Sequence, residues 1–353
     1  MKKIAKVILL LLFAGILYLL FWPVSMDPKP WYPEPAPPLK GKYEKNRKLT
    51  AAEIKYKGQC QACEDVAIDS TGAVYGGRED GKIMKFEKNS GKGIVFADTK
   101  GRPLGLDFDK EGNLIVADAH KGILSIDKNG NITVLTDNYQ GKKFGFPDDL
   151  EVAPNGIIYF TDASTKFPFK NFKNDILEHG PNGIFYSYNP ETKKTEKLID
   201  SMYFANGVAV DPESKFVLVN ETSAYRIRKY WLEGPKKGTN EILIENLPGF
   251  NDGISRGKDG IYWVALVTPR DTMLDKTMPK PFLRKVIARL PEALKPKARN
   301  YGFVLGIDEN GHILYNLQDP TGKFGQISSA QQFGDTLYLG SLAYDGVGVY
   351  GLK

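Results

Sequence analysis

The sequence predicts an all-β fold: a six-bladed β-propeller that follows an N-terminal transmembrane helix and carries a helical insertion. The main observation is a recurring unit in which a polar residue usually precedes an apolar alternation, a turn and a second apolar alternation. Repeats of roughly 40 residues built on strand, turn and strand are typical of propeller blades. Five units open at residues 64–75, 104–115, 148–159, 206–217 and 252–263, and a sixth occupies residues 328–342.

Two intervals between units are longer than the others and predict insertions. They run from about Ala163 to Asn182 and from about Thr268 to Asn300. In the second, apolar residues recur at helical spacing between two prolines, with basic residues on the other faces. The apolar residues are Phe282, Leu283, Val286, Ile287 and Leu290, and the basic ones are Arg284, Lys285 and Arg289. We expect a short amphipathic helix that either packs on the side of the propeller or projects from its binding face.

The last blade needs a partner for its outermost strand. The segment Ile54–Lys57, which precedes the first unit, can supply that strand. This would join the two ends of the domain and close the propeller.

The first 22 residues predict a membrane anchor. Ile4 to Trp22 is close to the roughly 20 apolar residues that cross a bilayer as a helix. Lys2, Lys3 and Lys6 favour a cytoplasmic N-terminus, which places the propeller on the periplasmic, extracellular or lumenal side of a single-pass protein. The alternative is a cleaved signal peptide, but no small-x-small cleavage pattern follows the apolar run.

The rest of the chain divides into a linker and the propeller. Residues 23–49 form a linker in which seven prolines between Pro23 and Pro38 favour an extended, semi-rigid spacer. Residues 50–353 form the propeller. Its two cysteines, Cys60 and Cys63, predict either a local disulfide or two buried thiols, since neighbouring ligands for zinc are missing from the sequence.

The charge of the chain argues against a nucleic-acid partner. The formal net charge is +6, and it is spread along the sequence without a polybasic block or a nucleic-acid-binding motif. The basic residues therefore predict ordinary surface charge with at most a mild attraction to anionic lipid.

Four blade openings carry oxygen ligands: Glu64, Asp148, Asn206 and Asp252. The innermost strands of a propeller line its axis, so equivalent residues of successive blades should converge. Three carboxylates and an amide in a narrow tunnel would repel one another unless a cation lay between them. Oxygen ligands from separate blades suit Ca²⁺ better than zinc or magnesium. The alternative for any single one of these residues is an ordinary turn-opening role.

Two of these residues are followed directly by a second acid. Asp65 follows Glu64, and Asp149 follows Asp148. Because adjacent strand residues point in opposite directions, Asp65 and Asp149 could form a second, deeper metal site. A salt bridge to a buried Lys or Arg is the alternative.

The chain resembles the strictosidine synthase-like and adipocyte plasma membrane-associated proteins, within the six-bladed propellers that include gluconolactonases and paraoxonases. The resemblance covers nearly everything after the anchor. It is carried by residues 102–107, 116–127, 158–164, 204–209, 225–236, 246–252, 262–266 and 319–322.

The resemblance implies a calcium-centred esterase or lactonase whose metal ligands are Glu64, Asp148, Asn206 and Asp252. Asp148 departs from the Asn that is usual in the hydrolases. Leu104 stands where paraoxonases have a catalytic His, which argues against their mechanism. Residues 326–333 contain no carboxylate where strictosidine synthases have a Glu, so strictosidine synthase activity is not expected.

The resemblance thus implies hydrolysis of an ester or lactone substrate, with Asp252 as the general base as in the gluconolactonases. The alternative is a non-catalytic propeller that binds a ligand or protein and keeps calcium for stability. Of the three histidines, His120 is expected in a surface turn, with an approach to the central tunnel as the alternative, while His179 and His312 are expected to be exposed.

Overall fold

Six four-stranded antiparallel sheets form the propeller in the computed structural model, which describes residues 2–88 and 90–352. The chain begins with α1 (Lys2–Phe21) and continues through a segment with two 3-10 turns (Gly41–Tyr43 and Lys48–Ala51) to β1 (Glu53–Lys55). Blade 1 contains β2 (Val66–Ile68), β3 (Val74–Gly77), β4 (Lys82–Phe86) and β5 (Ile94–Asp98). Blade 2 contains β6 (Pro103–Phe108), β7 (Leu114–Asp118), β8 (Gly122–Ile126) and β9 (Ile132–Thr136), and the hairpin of β10 (Asn138–Tyr139) and β11 (Lys142–Lys143) follows it.

The third and fourth blades continue the pattern, and the third carries the first insertion. Blade 3 contains β12 (Pro147–Val152), β13 (Ile158–Asp162), the inserted helix α2 (Phe172–Glu178), β14 (Gly183–Asn189) and β15 (Lys194–Met202). Blade 4 contains β16 (Ala205–Val210), β17 (Phe216–Glu221), β18 (Arg226–Trp231) and β19 (Asn240–Ile244).

The fifth blade carries the second insertion, and the sixth closes the ring. Blade 5 contains β20 (Gly249–Arg256), β21 (Tyr262–Pro269), the helices α3 (Thr272–Thr277) and α4 (Pro281–Arg289), β22 (Gly302–Ile307) and β23 (Ile313–Asp319). Blade 6 contains β24 (Ile327–Phe333), β25 (Thr336–Ser341) and β26 (Val347–Gly351), and β1 completes it by pairing with β26. The predictions of a six-bladed propeller and of closure by the segment at Ile54 are confirmed.

Short turns joining the first two strands of blades explain part of the repeat. In blade 1 the carboxylate of Asp69 accepts a hydrogen bond from the Ala73 N–H at 3.0 Å, and Gly72 has a φ of +87°. Blade 2 repeats this arrangement with Asp109 and Gly112. Because the turn needs a left-handed residue and an acceptor for its free N–H groups, Asp and Gly recur at the same spacing.

The apolar core lies between neighbouring blades. Leu218 of blade 4 and Phe303 of blade 5 belong to one buried cluster. Trp263 of blade 5, which is fully buried, packs in a second cluster with Ile327 and Leu337 of blade 6. This packing of blade faces holds the inner strands close to the axis, where β2, β6, β12, β16, β20 and β24 contact one another in sequence round the ring.

The proline-rich segment lies against the propeller instead of extending away from it as a spacer. Tyr43 and Leu49 are buried. The Gln318 side chain donates a hydrogen bond to the Tyr43 carbonyl at 3.1 Å, and Arg270 donates one to the Glu34 carbonyl at 2.7 Å. Side chains of the propeller thus satisfy carbonyl groups of this segment. The boundary of this linker at residue 49 stays a prediction.

The structure also tests the predictions for the two cysteines and for the helix of the second insertion. Cys60 and Cys63 form a disulfide. Helix α4 is present where it was predicted, but its orientation differs from the expected one. Arg284 and Arg289 are buried, with exposed fractions of 0% and 9%, while Phe282 and Leu283 are 54% and 40% exposed.

Candidate metal and catalytic site

The predicted site residues lie at irregular positions in the innermost strands. In β12, β16 and β20 the pairing with the next strand shifts register around Asp148, Asn206 and Asp252. Each of these residues comes two positions before a regularly paired residue, and Glu64 likewise comes two positions before Val66 at the start of β2. Bulges of this kind interrupt the ladder and redirect side chains, which is why the four polar side chains can turn toward the axis.

The structure brings all four of these residues together. They line one small cavity on the axis, with a volume of about 20 Å³. A volume of this order holds about one water-sized particle. The lining residues that belong to the predicted ring are Glu64, Asp148, Asn206 and Asp252, and their blade-2 and blade-6 counterparts Leu104 and Ser328 complete the circle.

Burial and mutual repulsion raise the pKa values of the acids in the ring. Loss of solvent raises the pKa of Glu64 to about 7, although the nearby Arg102 charge opposes this shift. Burial raises the pKa of Asp148 well above its ordinary value, and the charges of Glu64 and Asp252 raise it further. Burial also raises the pKa of Asp252 well above its ordinary value, with Glu64 adding to the shift and a hydrogen bond from Asn206 opposing it.

The ring has the chemistry of a hard-cation site. Asp148 Oδ2 is buried and has no hydrogen-bond partner among the described residues. An unpaired buried carboxylate oxygen is costly, and carboxylate and amide oxygens are the ligands that calcium accepts in irregular geometry. Across residues 2–88 and 90–352, however, the His, Cys, Asp and Glu side chains form no group of three that could hold a metal ion. The residues thus fit a calcium ion by donor type, size and charge, without forming a completed coordination sphere.

Side chains of neighbouring blades hold the backbone of the ring in place. Thr161 donates a hydrogen bond to the Asn206 carbonyl at 2.9 Å, and Ser328 donates one to the Glu64 carbonyl at 2.6 Å. The side-chain amide of Asn220 likewise donates to the Asp252 carbonyl. Thr161 and Asn220 occupy equivalent positions, one residue before the ends of β13 and β17, and Ser328 is the blade-6 counterpart of the ring residues. The sequence analysis assigned none of them a role, because it compared only the polar residues that open the repeat units.

Arg102 is the charged neighbour of the ring that the sequence analysis left without a role. Its side chain is nearly buried, and its Nη2 lies 3.4 Å from Glu64 Oε2. Nη2 also donates to the Ala62 carbonyl at 3.1 Å. The sequence contained a signal for this residue, since Arg102 opens one of the motifs that carry the family resemblance.

The second pair of acids bonds the backbone of adjacent blades. Asp65 accepts a hydrogen bond from the Leu106 N–H at 2.9 Å, and Asp149 accepts one from the Val208 N–H at 2.9 Å. Burial raises the pKa of Asp65 to about 6 and that of Asp149 well above its ordinary value. These contacts support a role in joining blades; a metal site at Asp65 and Asp149 stays a prediction.

A much larger cavity of about 580 Å³ lies over the ring. Its floor contains the four ring residues, and its walls are mostly apolar. The aromatic wall consists of Phe146, Phe169, Phe172, Phe204 and Phe250. Residues of α2 and α4, including Leu177 and Ile287, form part of its roof. The insertions therefore cover the face of the propeller on which the ring opens.

Two of the three histidines are exposed as predicted, and the third is buried. His120 is exposed in a turn, as predicted, and the His312 side chain is 75% exposed. The expectation of an exposed His179 is wrong, because its ring is stacked between Trp31 and Tyr203 with centroid distances of 3.6 Å and 4.6 Å. Burial lowers the pKa of His179 to about 3, and the charges of Arg284 and Arg226 contribute. Trp31 belongs to the N-terminal segment, so sequence periodicity within the repeats could not indicate this contact.

Solved structures show the same fold. A gluconolactonase from Xanthomonas campestris is similar with a TM-score of 0.63 at 18% identity, and the match covers 87% of this chain and 91% of that chain. A structure described as a calcium-binding protein, regucalcin, from Agrobacterium tumefaciens is similar with a TM-score of 0.62 at 14% identity, covering 86% of this chain and 94% of the other.

Relatives found by sequence have a higher identity to this chain than these solved structures have. The chain is 37% identical over 303 residues to the protein strictosidine synthase-like 6 of Arabidopsis thaliana, covering 84% of this chain and 80% of the relative. It is 32% identical over 350 residues to the adipocyte plasma membrane-associated protein of Rattus norvegicus, covering 93% and 92%. Residues 148–235 match the strictosidine synthase family, and residues 41–86 match the family described as strictosidine synthase-like, N-terminal. The chain therefore belongs to the strictosidine synthase-like family.

Proposed function

We propose that this chain is a membrane-anchored, calcium-dependent hydrolase that cleaves ester or lactone bonds. The observation that carries the proposal is the unpaired, buried oxygen of Asp148 in a ring of oxygen ligands at the floor of a large apolar cavity. The gluconolactonase and the calcium-binding regucalcin share the fold, which supports the class of reaction and the choice of ion.

Glu64, Asp148, Asn206 and Asp252 would hold the calcium ion. When bound, calcium supplies the positive charge that keeps these acids ionised, polarises the substrate carbonyl and stabilises negative charge on its oxygen. Asp252 serves as the general base that takes a proton from the attacking water. The Asn206 amide, which donates a hydrogen bond to Asp252, orients its carboxylate, and Asn220 holds the Asp252 backbone in place.

The cavity walls supply binding and protection from bulk water. Phe146 and Phe204 line the cavity beside the ring, so an aryl or alkyl group of the substrate would replace water there. Arg102 lies beside Glu64 and limits the negative charge at that side of the ring. At the place where a synthase would need a carboxylate, Gln326 lines the cavity instead, which supports hydrolysis over condensation.

The helix α1 would anchor the protein. It has 20 residues and is apolar and long enough to cross a membrane by length and composition. Family relatives include proteins described as adipocyte plasma membrane-associated. We propose a single span with the N-terminus in the cytoplasm, as the lysines at its start favour.

The test uses the full-length protein in detergent, with phenyl acetate and a panel of lactones, in calcium and in chelator. We expect turnover in calcium that chelator abolishes, and a loss of at least about 100-fold in kcat for Asp252→Asn, because general bases contribute on the order of 10²–10⁴. Asp335→Asn, an exposed carboxylate on blade 6, is the matched control. Equal turnover by the calcium-loaded Asp252→Asn protein would refute the mechanism, whereas calcium-dependent heat stability without any turnover would favour the binding propeller.

A further inference from the structure

Helix α4 buries two arginines and exposes two apolar residues of its first turn. Arg284 is 0% exposed and donates hydrogen bonds to the carbonyls of Leu177 and Glu178 at 3.0 Å and 2.9 Å. Phe282 and Leu283, on the outer side, are 54% and 40% exposed. A surface helix of a soluble domain has the opposite arrangement, so the outer side of α4 requires an apolar partner.

The segments on either side of α4 also expose apolar residues. Met273 near the start of α3 is 72% exposed, and Leu294, which follows α4, is 68% exposed. Lys276 in the last turn of α3 and Lys280 just before α4 are exposed. We define Met273, Phe282, Leu283 and Leu294 as the outer apolar surface. Exposed apolar residues with adjacent lysines are typical of segments that lie in the interface of an anionic membrane.

The end of the anchor helix is attached to α4. Arg289 donates hydrogen bonds to the carbonyls of Trp22 and Leu19 at 2.5 Å and 2.9 Å. The last carbonyls of a helix lack partners within the helix, and Arg289 supplies them at the point where α1 would leave the bilayer. A nine-residue helix is about 13 Å long, so all of α4 lies within roughly that distance of the anchor end.

The inner side of α4 lies over the large cavity. Ile287 contributes to the lining of that cavity together with Leu177 and Ile176 of α2 and Leu274 of α3. One short helix therefore has an apolar surface on the outside, the end of a membrane-type helix at its C-terminus, and the apolar cavity beneath it. This places α4 between the cavity and the end of the membrane-type helix.

We propose that the outer apolar surface lies in the interface of the bilayer that holds α1, and that the substrate is a lipophilic ester with a long alkyl chain, which enters the cavity from that bilayer. The ester part of this inference rests on the proposed function, while membrane docking and binding of the chain do not. The aromatic wall accommodates the alkyl chain, and the polar floor receives the ester group.

Docking is tested by site-specific labelling of the full-length protein in vesicles of phosphatidylcholine and phosphatidylserine. The native cysteines are paired in a disulfide, so Leu283→Cys can be labelled with an environment-sensitive fluorophore. Ile242→Cys on β19 is the matched control, since Ile242 is also 40% exposed. We expect quenching by doxyl-labelled lipid at least about twofold stronger at position 283 than at position 242. Equal quenching at the two positions would overturn the docking surface.

Substrate access is tested with a photoreactive decyl phenyl ether dissolved in the same vesicles, because an ether binds without being hydrolysed. We expect cross-links to the peptide that contains α2, and a reduction of about fivefold or more for Ile287→Trp, which fills the cavity beneath α4. No cross-link to α2, or one that Ile287→Trp leaves unchanged, would overturn the inference. Cross-linking of the ether by a protein that hydrolyses no ester would instead support the inference and refute the proposed hydrolase.

Discussion

The hydroxyl of Thr161 in blade 3 donates a hydrogen bond of 2.9 Å to the backbone carbonyl of Asn206 in blade 4. Thr161 is fully buried, so water cannot replace it. Similar bonds from Asn220 and Ser328 hold the carbonyls of Asp252 and Glu64. The ring of Glu64, Asp148, Asn206 and Asp252 is therefore positioned by contacts that run from one blade to the next, and its geometry depends on the closure of the whole propeller.

The first prediction concerns this bond. Thr161→Val keeps the shape of the side chain but leaves the Asn206 carbonyl without its donor, so we expect a loss of about 1–3 kcal/mol in the free energy of unfolding. Urea denaturation of the full-length protein measures it. Thr133→Val, at an exposed position of β9, should change stability by less than about 0.5 kcal/mol. If the two variants were equally stable, the bond would have no positioning role.

The second prediction concerns Asp148, whose substitution should have opposite effects with and without calcium. Because burial and the charges of Glu64 and Asp252 raise the Asp148 pKa, Asp148→Asn should raise the Tm in chelator, by roughly 1–2 °C for each kcal/mol of repulsion removed. Excess calcium should raise the Tm of Asp148→Asn by less than it raises the Tm of the unmodified protein, because the variant has lost a charged ligand. Scanning calorimetry in both buffers checks this, and an identical gain with calcium would count against Asp148 as a ligand.

The third prediction concerns the pH dependence that His179 confers. Its pKa is lowered from 6.5 to about 3 by burial, so the folded state resists protonation. The contribution of His179 to the free energy of unfolding is fully present above pH 6.5 and is lost as the pH falls toward 3. Between pH 7 and pH 5 the loss from this residue should be about 2 kcal/mol.

His179→Phe provides the comparison, since a phenyl ring can keep the stacking with Trp31 and Tyr203. Its free energy of unfolding should fall by about 2 kcal/mol less than that of the unmodified protein over the same pH range. Urea titrations at both pH values measure the difference. Parallel pH profiles would show that the pKa of His179 is not lowered in the folded state.

The repeat pattern predicted the fold and the convergence of the ring because both depend on periodicity along the chain. Glu64, Asp148, Asn206 and Asp252 occupy the same place in their repeats, and symmetry alone brings them to one axis. The closing strand at Ile54 was predictable for the same reason, since a four-stranded last blade needs a strand that the C-terminal repeat does not contain.

Contacts between distant, non-repeating segments could not be predicted in this way. Arg284 is buried because its acceptors are the carbonyls of Lys29, Leu177 and Glu178, which belong to two other segments. Helical spacing alone assigned Arg284 to an outer face. His179 was misplaced for a similar reason, because its stacking partner Trp31 lies in the N-terminal segment.

The most direct test of the central claim is the calcium content of purified full-length protein, measured by elemental analysis after dialysis against micromolar calcium. The ring should retain about one calcium ion per chain, and Asn206→Leu, which replaces the amide ligand, should lose it, while Asp335→Asn at the exposed edge of blade 6 should not. Calcium that is absent from the unmodified protein, or retained equally by Asn206→Leu, would contradict a metal site formed by Glu64, Asp148, Asn206 and Asp252.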